Sequence, residues 1–299
     1  MLHQLVLDTN IAQYARAEVL EALAARGFRL RVAETALLEW WASCTREYAA
    51  GRMPRDRARQ RFFGRARSIA GFLDSERPVA VGAGHLVRRI VAAAAGIGGD
   101  AESDARERDL TAQWQQIVTE GLTDEEWLEF GTVANEFLEE LDEELSSLAR
   151  TERELATKVP SQLQASNAQW CALPDEEKMA HVRAYLAETW QFSAAAAERL
   201  DAHIATVAFR IVAAARGARL PKRNDGADLG LTIHVGDGSV LLTNERRLID
   251  IVDWSGTFQG AWIRSPDDLD QLPSVPPWGA CARGEARSFS RRPREQVRR

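Results

Sequence analysis

Cysteine is scarce: Cys44, Cys171 and Cys281 stand far apart in 299 residues with no paired spacing. That argues against a disulfide framework and against a cysteine zinc site, and it makes a reducing, cytoplasmic setting the natural expectation. The five histidines, His3, His85, His181, His203 and His234, show no ligand spacing and are expected to pack or to sit on the surface. Long apolar runs are lacking too. The longest patch, Ile90 to Ile97, is mostly alanine, follows Arg88-Arg89 and falls well short of the ~20 residues of a spanning helix. The N-terminal residues lack the basic-then-apolar layout of an export signal, so no membrane is expected as a partner. Gly96-Ile97-Gly98-Gly99 has no strand before it and no Gly-Lys-Ser/Thr after it, so it is no phosphate loop.

What is present is enough apolar material for a core, 45% of residues, in a length that suits two domains or one domain with a large insertion. The formal net charge of −6 argues against a constitutive polyanion binder, but the charge is uneven. Arginine crowds between Arg52 and Arg67, acids crowd from Asp100 to Glu154, and arginine returns from Arg287 to Arg299. Such poles can steer a charged partner locally.

The most informative stretch is Leu5-Val6-Leu7-Asp8-Thr9-Asn10. A short apolar run ending in an acid, then Thr-Asn and an amphipathic segment, predicts a buried strand that turns into a helix with Asn10 as its cap. Asp8 would then stand at the carboxyl end of a strand, where open parallel sheets bind ligands. The helix is expected over Ile11 to Ala25 and a second strand over Phe28 to Ala33. Glu39 follows within a helix, among Leu38, Trp40 and Trp41. It stands either on the wet side of that helix or inward for a purpose, and burial statistics favour the wet side.

From Met53 to about Gly217 the pattern predicts helices only, roughly Arg55–Phe72, His85–Ala95, Ser103–Glu120, Asp124–Arg150, Asp175–Phe192 and Ala194–Arg216. Thr123-Asp124-Glu125-Glu126 has the spacing of a capping box, and Phe137, Leu141, Leu145 and Leu148 form an apolar stripe best read as core. Sheet signal returns after Asp225-Gly226-Ala227-Asp228, which opens a short helix through Val235. Ser239 to Thr243 reads as a strand, Leu248 to Val252 as a helix and Ala261 to Ile263 as a last strand. The expected organisation is a first part over 1–52, a helical insertion over 53–217, a second part over 218–265 and a Pro/Arg-rich tail over 266–299.

Four motifs together resemble the PIN domain family of metal-dependent nucleases: Leu7-Asp8-Thr9-Asn10, Val32 to Glu39, Asp228-Leu229-Gly230-Leu231 and Leu242-Thr243-Asn244-Glu245. The resemblance covers about the first fifty residues and the last third up to Ile263. It implies an α/β, PIN-like three-layer fold with a central parallel sheet, here interrupted by a large all-α insertion. It further implies that Asp8, Glu39, Asp228 and Glu245 hold Mg2+ or Mn2+ and carry catalysis. Two departures stand out: the last acid is Glu245 where the family usually has aspartate, with Asn244 as a substitute oxygen donor, and Asp225 lies three residues before Asp228 as an alternative third acid. Thr9, Asn10, Thr243 and Arg246 are the residues placed to meet the substrate.

The chemistry needs such a cluster because hard Mg2+ takes oxygen ligands and keeps several waters, so a few carboxylates suffice. Thr9 and Thr243 could equally be plain helix caps. Under this resemblance the expected partner is RNA, single-stranded rather than duplex, with DNA left open. A toxin or defence effector met by a protein inhibitor, and a homodimer, are further expectations. The Arg52 to Arg67 series with Phe62 and Phe63 interleaved is the candidate RNA surface, since arginine neutralises phosphate and aromatics stack on unpaired bases; a plain exposed helix face is the simpler alternative. Two other readings stay open. One is a catalytically degenerate PIN fold kept as a binding or scaffold module. The other is an aspartyl phosphohydrolase, against which Asn10 stands where a second acid is needed.

Overall fold

The computed structural model describes residues 4–162, 167–215, 225–255 and 257–271. Five parallel strands, β1 (Gln4–Leu7), β2 (Arg29–Ala33), β3 (Val79–Ala80), β4 (Ser239–Leu242) and β5 (Ile263–Arg264), form one sheet in the order β3-β2-β1-β4-β5. The chain is therefore α/β. β1 and β4 are continuous apolar runs because helices cover both faces of a parallel sheet, and Leu5, Val6, Leu7, Leu241 and Leu242 are wholly buried. Leu7 stands opposite Val32 on one side and Leu242 on the other. The chain builds outward from β1 through β2 to β3, then crosses back to lay β4 and β5 on the far side. The strand order thus reverses between β1 and β4, the kind of point beside which open α/β sheets bind ligands.

The stretch 53–217 corrects the expectation of an all-α insertion, because it supplies β3, the edge strand beside β2. A strand of two residues, Val79 and Ala80, is too short a run for any periodicity to register. What holds so short a strand is Arg31, which lies buried in β2 at 3% exposure. Its guanidinium donates to the backbone oxygens of Arg77 and Val79, both at 2.8 Å, and it pairs with Glu107. Glu107 also receives Arg89 at 3.2 Å, so the buried charges are matched. The helices of this stretch share one apolar core with the sheet: Phe62, Ile69, Trp114, Trp127, Val182 and Ile204 join the cluster that contains Leu5 and Val240.

Element boundaries follow the sequence reading with local differences. The helix expected from Ile11 to Ala25 is two helices, Thr9–Tyr14 and Ala17–Ala25, broken at extended Ala15 and Arg16. The cap of the first is Asp8, whose side chain accepts from the Thr9 N–H; Asn10 is an exposed residue inside the helix, not its cap. A carboxylate already at the strand end takes that role first. The stretch expected as one helix from Ala194 is likewise divided, into Ala194–Arg199 and Asp201–Ala215. The capping box at Thr123 forms as read, with the Glu126 N–H donating to Thr123 Oγ1 at 3.2 Å and the Thr123 N–H to Glu126 Oε2 at 2.7 Å. Of the apolar stripe on helix Asp124–Gln162, Phe137 packs on the core; the side chains of Leu141, Leu145 and Leu148, and the tail beyond Gln271, lie outside the described residues. No helix of the described residues is long and apolar enough to cross a membrane.

Helix Glu34–Ala49 is the pillar between sheet and helical layer. Trp40 and Trp41 close on Phe62 with ring centroids 4.6 and 4.4 Å apart, and Trp41 meets Phe130 at 5.4 Å. Helix Asp124–Gln162 crosses it at Gly131, where a Cβ would stand 2.3 Å from Thr45 Cγ2. We expect Gly131→Ala to lower the unfolding free energy by about 1–3 kcal/mol through overpacking. Urea unfolding of that variant and of Gly131→Ala with Thr45→Ser checks it, the second change restoring part of the loss.

Candidate carboxylate site

One residue beyond the paired Leu7 and Leu242, the strands β1 and β4 end in Asp8 and Thr243. The register thus sets an acid and a hydroxyl side by side at the point where the strand order reverses. The Asp8 N–H donates to the Leu242 carbonyl at 3.0 Å, carrying the ladder one step past the strand. Thr243 Oγ1 donates to Asp8 Oδ2 at 2.8 Å and accepts from the Glu245 N–H at 2.9 Å. One hydroxyl therefore orients the carboxylate of β1 and fixes the turn that carries Glu245.

Glu39 reaches the same place from helix Glu34–Ala49. It is half-buried, and Thr9 Oγ1 donates to its Oε2. The structure overturns the wet-side reading of this residue: its flanking Trp40 and Trp41 are buried, yet its own side chain reaches back over the strand ends. Arg46, two turns on along the same helix, stabilises its charge. Nothing in the sequence marks Arg46 except that spacing of seven.

Burial dominates the electrostatics. It pushes the Asp8 carboxyl above its ordinary 3.8, hydrogen bonds from Thr243 and Thr9 work against the rise, and the charge of Glu245 adds to it. Burial likewise raises Glu39 above 4.5, opposed by the Thr9 hydroxyl and reinforced by Asp8. Asp8 is 2% exposed, and Thr9 and Thr243, which hydrogen-bond it, are neutral. Burial thus disfavours charge on Asp8 and on Glu39, and the like charges of Glu39 and Glu245 both lie close to Asp8.

Asp228 lies half-buried on helix Asp225–Leu231, engaged in a polar or electrostatic contact of its own. A Cβ on Gly230 of that helix would lie 3.5 Å from Ala83, just past the carboxyl end of β3, so the helix borders the same edge of the sheet. Asp225 opens the helix, and its side chain is outside the described residues. Among the described residues no three His, Cys, Asp or Glu side chains converge closely enough to hold a metal ion by themselves. Asn10, Asn244 and Arg246 are exposed at the rim, and Thr9 is half-buried. No family model, curated protein or solved structure matches the chain.

Two expectations about neighbours change. Phe62 and Phe63 are 0% and 7% exposed and cannot stack on bases, because they fill the core under Trp40 and Trp41. Glu34, quoted in the second motif without a role, is held by Arg106 and accepts from the Gly82 N–H at 2.8 Å. It ties the loop after β3 to the start of the helix that carries Glu39. The buried histidines are neutral packing groups, His203 pushed down to about 4 by burial and His234 to about 3 by burial with Arg31 and Arg89 nearby. Cys44 is buried and its thiol is raised to about 11 by burial, so it is no nucleophile.

A carboxyl group whose pKa is raised on folding binds its proton more tightly when folded than when unfolded. Stability from Asp8 and Glu39 therefore falls as pH rises through their raised values and is regained as pH falls toward the ordinary carboxylate range. Asp8→Asn keeps the cap and removes the buried charge. Its melting temperature is expected to exceed that of the native chain at pH 7.5 by about 2–4 °C for each kcal/mol recovered. The difference should shrink toward pH 4 in thermal melts recorded without divalent cations.

Proposed function

We propose that the chain is a metal-dependent nuclease of PIN type, an endoribonuclease that hydrolyses phosphodiester bonds. One observation carries the reading: the first and second motifs and the fourth, some two hundred residues further along the chain, come together where Asp8, Thr243, Glu39 and Glu245 border the reversal in strand order. An acid buried against other acids, hydrogen-bonded by neutral groups, has the character of a ligand awaiting a cation. The parallel sheet agrees with the fold that the resemblance implies.

The donor set suits Mg2+ or Mn2+, since it is all oxygen and negatively charged. Asp8, Glu39 and Glu245 would hold the ion, with Asp228 on the helix that borders the same edge. When bound, the cation would activate water and stabilise the leaving oxygen of the phosphodiester. The chain's own residues do the rest. Thr243 aims the Asp8 carboxylate and Thr9 that of Glu39, and burial shields Asp8 from bulk water while Glu39 is half-buried. Asn10, Asn244 and Arg246 at the rim are placed to meet the RNA backbone. A role as toxin or defence effector, its middle helices and acidic stretch engaging a protein partner, fits the same reading.

A second reading, the fold kept as a binding or scaffold module, is favoured by a specific observation: no three acids among the described residues stand at metal-holding distance. Cleavage of labelled single-stranded RNA with Mn2+ decides between them. For the nuclease we expect Asp8→Asn and Glu39→Gln each to lose at least about a hundredfold in rate. Chelation should abolish cleavage, and Glu245→Asp should keep more of it than Glu245→Ala. A native chain no faster than Asp8→Asn would give the case to the scaffold.

A further inference from the structure

Six residues beyond Asp8, helix Thr9–Tyr14 ends in a tyrosine that is 62% exposed. Its ring is bare, but its hydroxyl is held: Arg61 Nη2 donates to it at 3.2 Å. One turn further along the same helix, Arg55–Ala70, Arg65 donates to the carbonyls of Ala12 and Ala15 at 2.8 and 2.7 Å. These carbonyls are among those left over at the end of the Tyr14 helix. Arg65 thus ties the end of that helix to helix Arg55–Ala70, and Arg61 meets the tip of the ring, whose face stays exposed.

The arginines of helix Arg55–Ala70 divide by side. Arg55 and Arg59 pair with Asp124, and Arg52 just before the helix pairs with Glu47. Arg57 and Arg61, one turn apart on the Tyr14 side, are exposed and form no salt bridge among the described residues. Arg16, two residues past Tyr14, is exposed as well. An exposed aromatic ring with Arg61 on its hydroxyl and Arg57 one turn away matches a base and its flanking phosphates, the ring stacking and the arginines neutralising. Glu47, already paired with Arg52, is the acid that acts on Arg61. Tyr14 closes the helix that Asp8 caps, six residues or about 9 Å of helical rise away.

We infer that Tyr14, Arg61 and Arg57 form a subsite that stacks one base of a single-stranded nucleic acid and binds its phosphates beside the carboxylate site. It rests on the nuclease reading for its position relative to the chemistry, and its test is made without chemistry. The full chain is titrated in EDTA against fluorescein-labelled 12-nucleotide single strands of RNA and of DNA, and against copies with one abasic position moved along the strand, read by anisotropy. Tyr14→Ala should weaken binding about tenfold and Tyr14→Phe, which keeps the ring, by no more than about twofold. Arg61→Ala should reduce the slope of log affinity against log salt by about 0.7. One abasic position should weaken the native chain and leave Tyr14→Ala unchanged, and the RNA and DNA arms show which backbone is accepted.

Equal binding by Tyr14→Ala and the native chain, or the same abasic-sensitive position in both, overturns the subsite while leaving any Asp8-dependent cleavage intact. Failure of the native chain to bind either strand overturns it too, and points to a protein partner for this face. Tyr14-dependent binding without Mn2+-dependent cleavage supports the subsite and removes the nuclease reading.

Discussion

The hydrogen bond from Thr243 to Asp8 joins two residues 235 positions apart, and the arrangement of the sheet's carboxyl edge depends on it. A carboxylate at 2% exposure is costly without compensation. Here the compensation is neutral and partial, a hydroxyl and a backbone N–H, so the group keeps a raised pKa. The same Thr243 hydroxyl takes the Glu245 N–H, which makes one side chain responsible for aiming the first acid and for the turn that delivers the last. Glu39 completes the set through Thr9, the residue that follows Asp8. Aim, burial and mutual repulsion are thus built from two threonines and three acids.

The surrounding structure serves to hold that edge still. Arg31 crosses from β2 to carbonyls of the β3 edge and finds Glu107 on helix Ala101–Thr119, so a buried guanidinium secures the shortest neighbouring strand. Glu34, paired with Arg106 and bonded by Gly82, fixes the junction of β2 with the helix that carries Glu39. On the other side Trp40 and Trp41 are wedged against Phe62. The helix bearing Glu39 is thereby gripped at its start and on its buried face, which leaves its acid little freedom. Such support by packing and by matched charge is what a site needs to keep its geometry.

Part of this was legible locally. The apolar run before Asp8, the strand signal at Ser239 to Thr243 and the capping box at Thr123 each rest on neighbours within a few residues, and each formed. Val79–Ala80 was not legible, since two residues carry no periodicity and the strand depends on Arg31 from elsewhere in the chain. The break at Ala15 and Arg16 was not legible either, because alanine and arginine favour helix and the carbonyls freed there are taken by Arg65 from another helix. Phe62 and Phe63 between arginines looked like a nucleic-acid surface in one dimension. In three they are core, and it is Tyr14 on the neighbouring helix whose ring is exposed.

The sequence by itself determined the α/β character, the helical character of most of the middle and the set of candidate acids, because hydrophobic period and strand-end chemistry are local properties. Only the tertiary structure decided which acids meet, that Glu39 turns toward Asp8, and which arginines pair with acids. The reason is that desolvation, ion pairing and strand register arise between segments far apart in the chain, and no local pattern encodes which distant side chain will arrive to complete them.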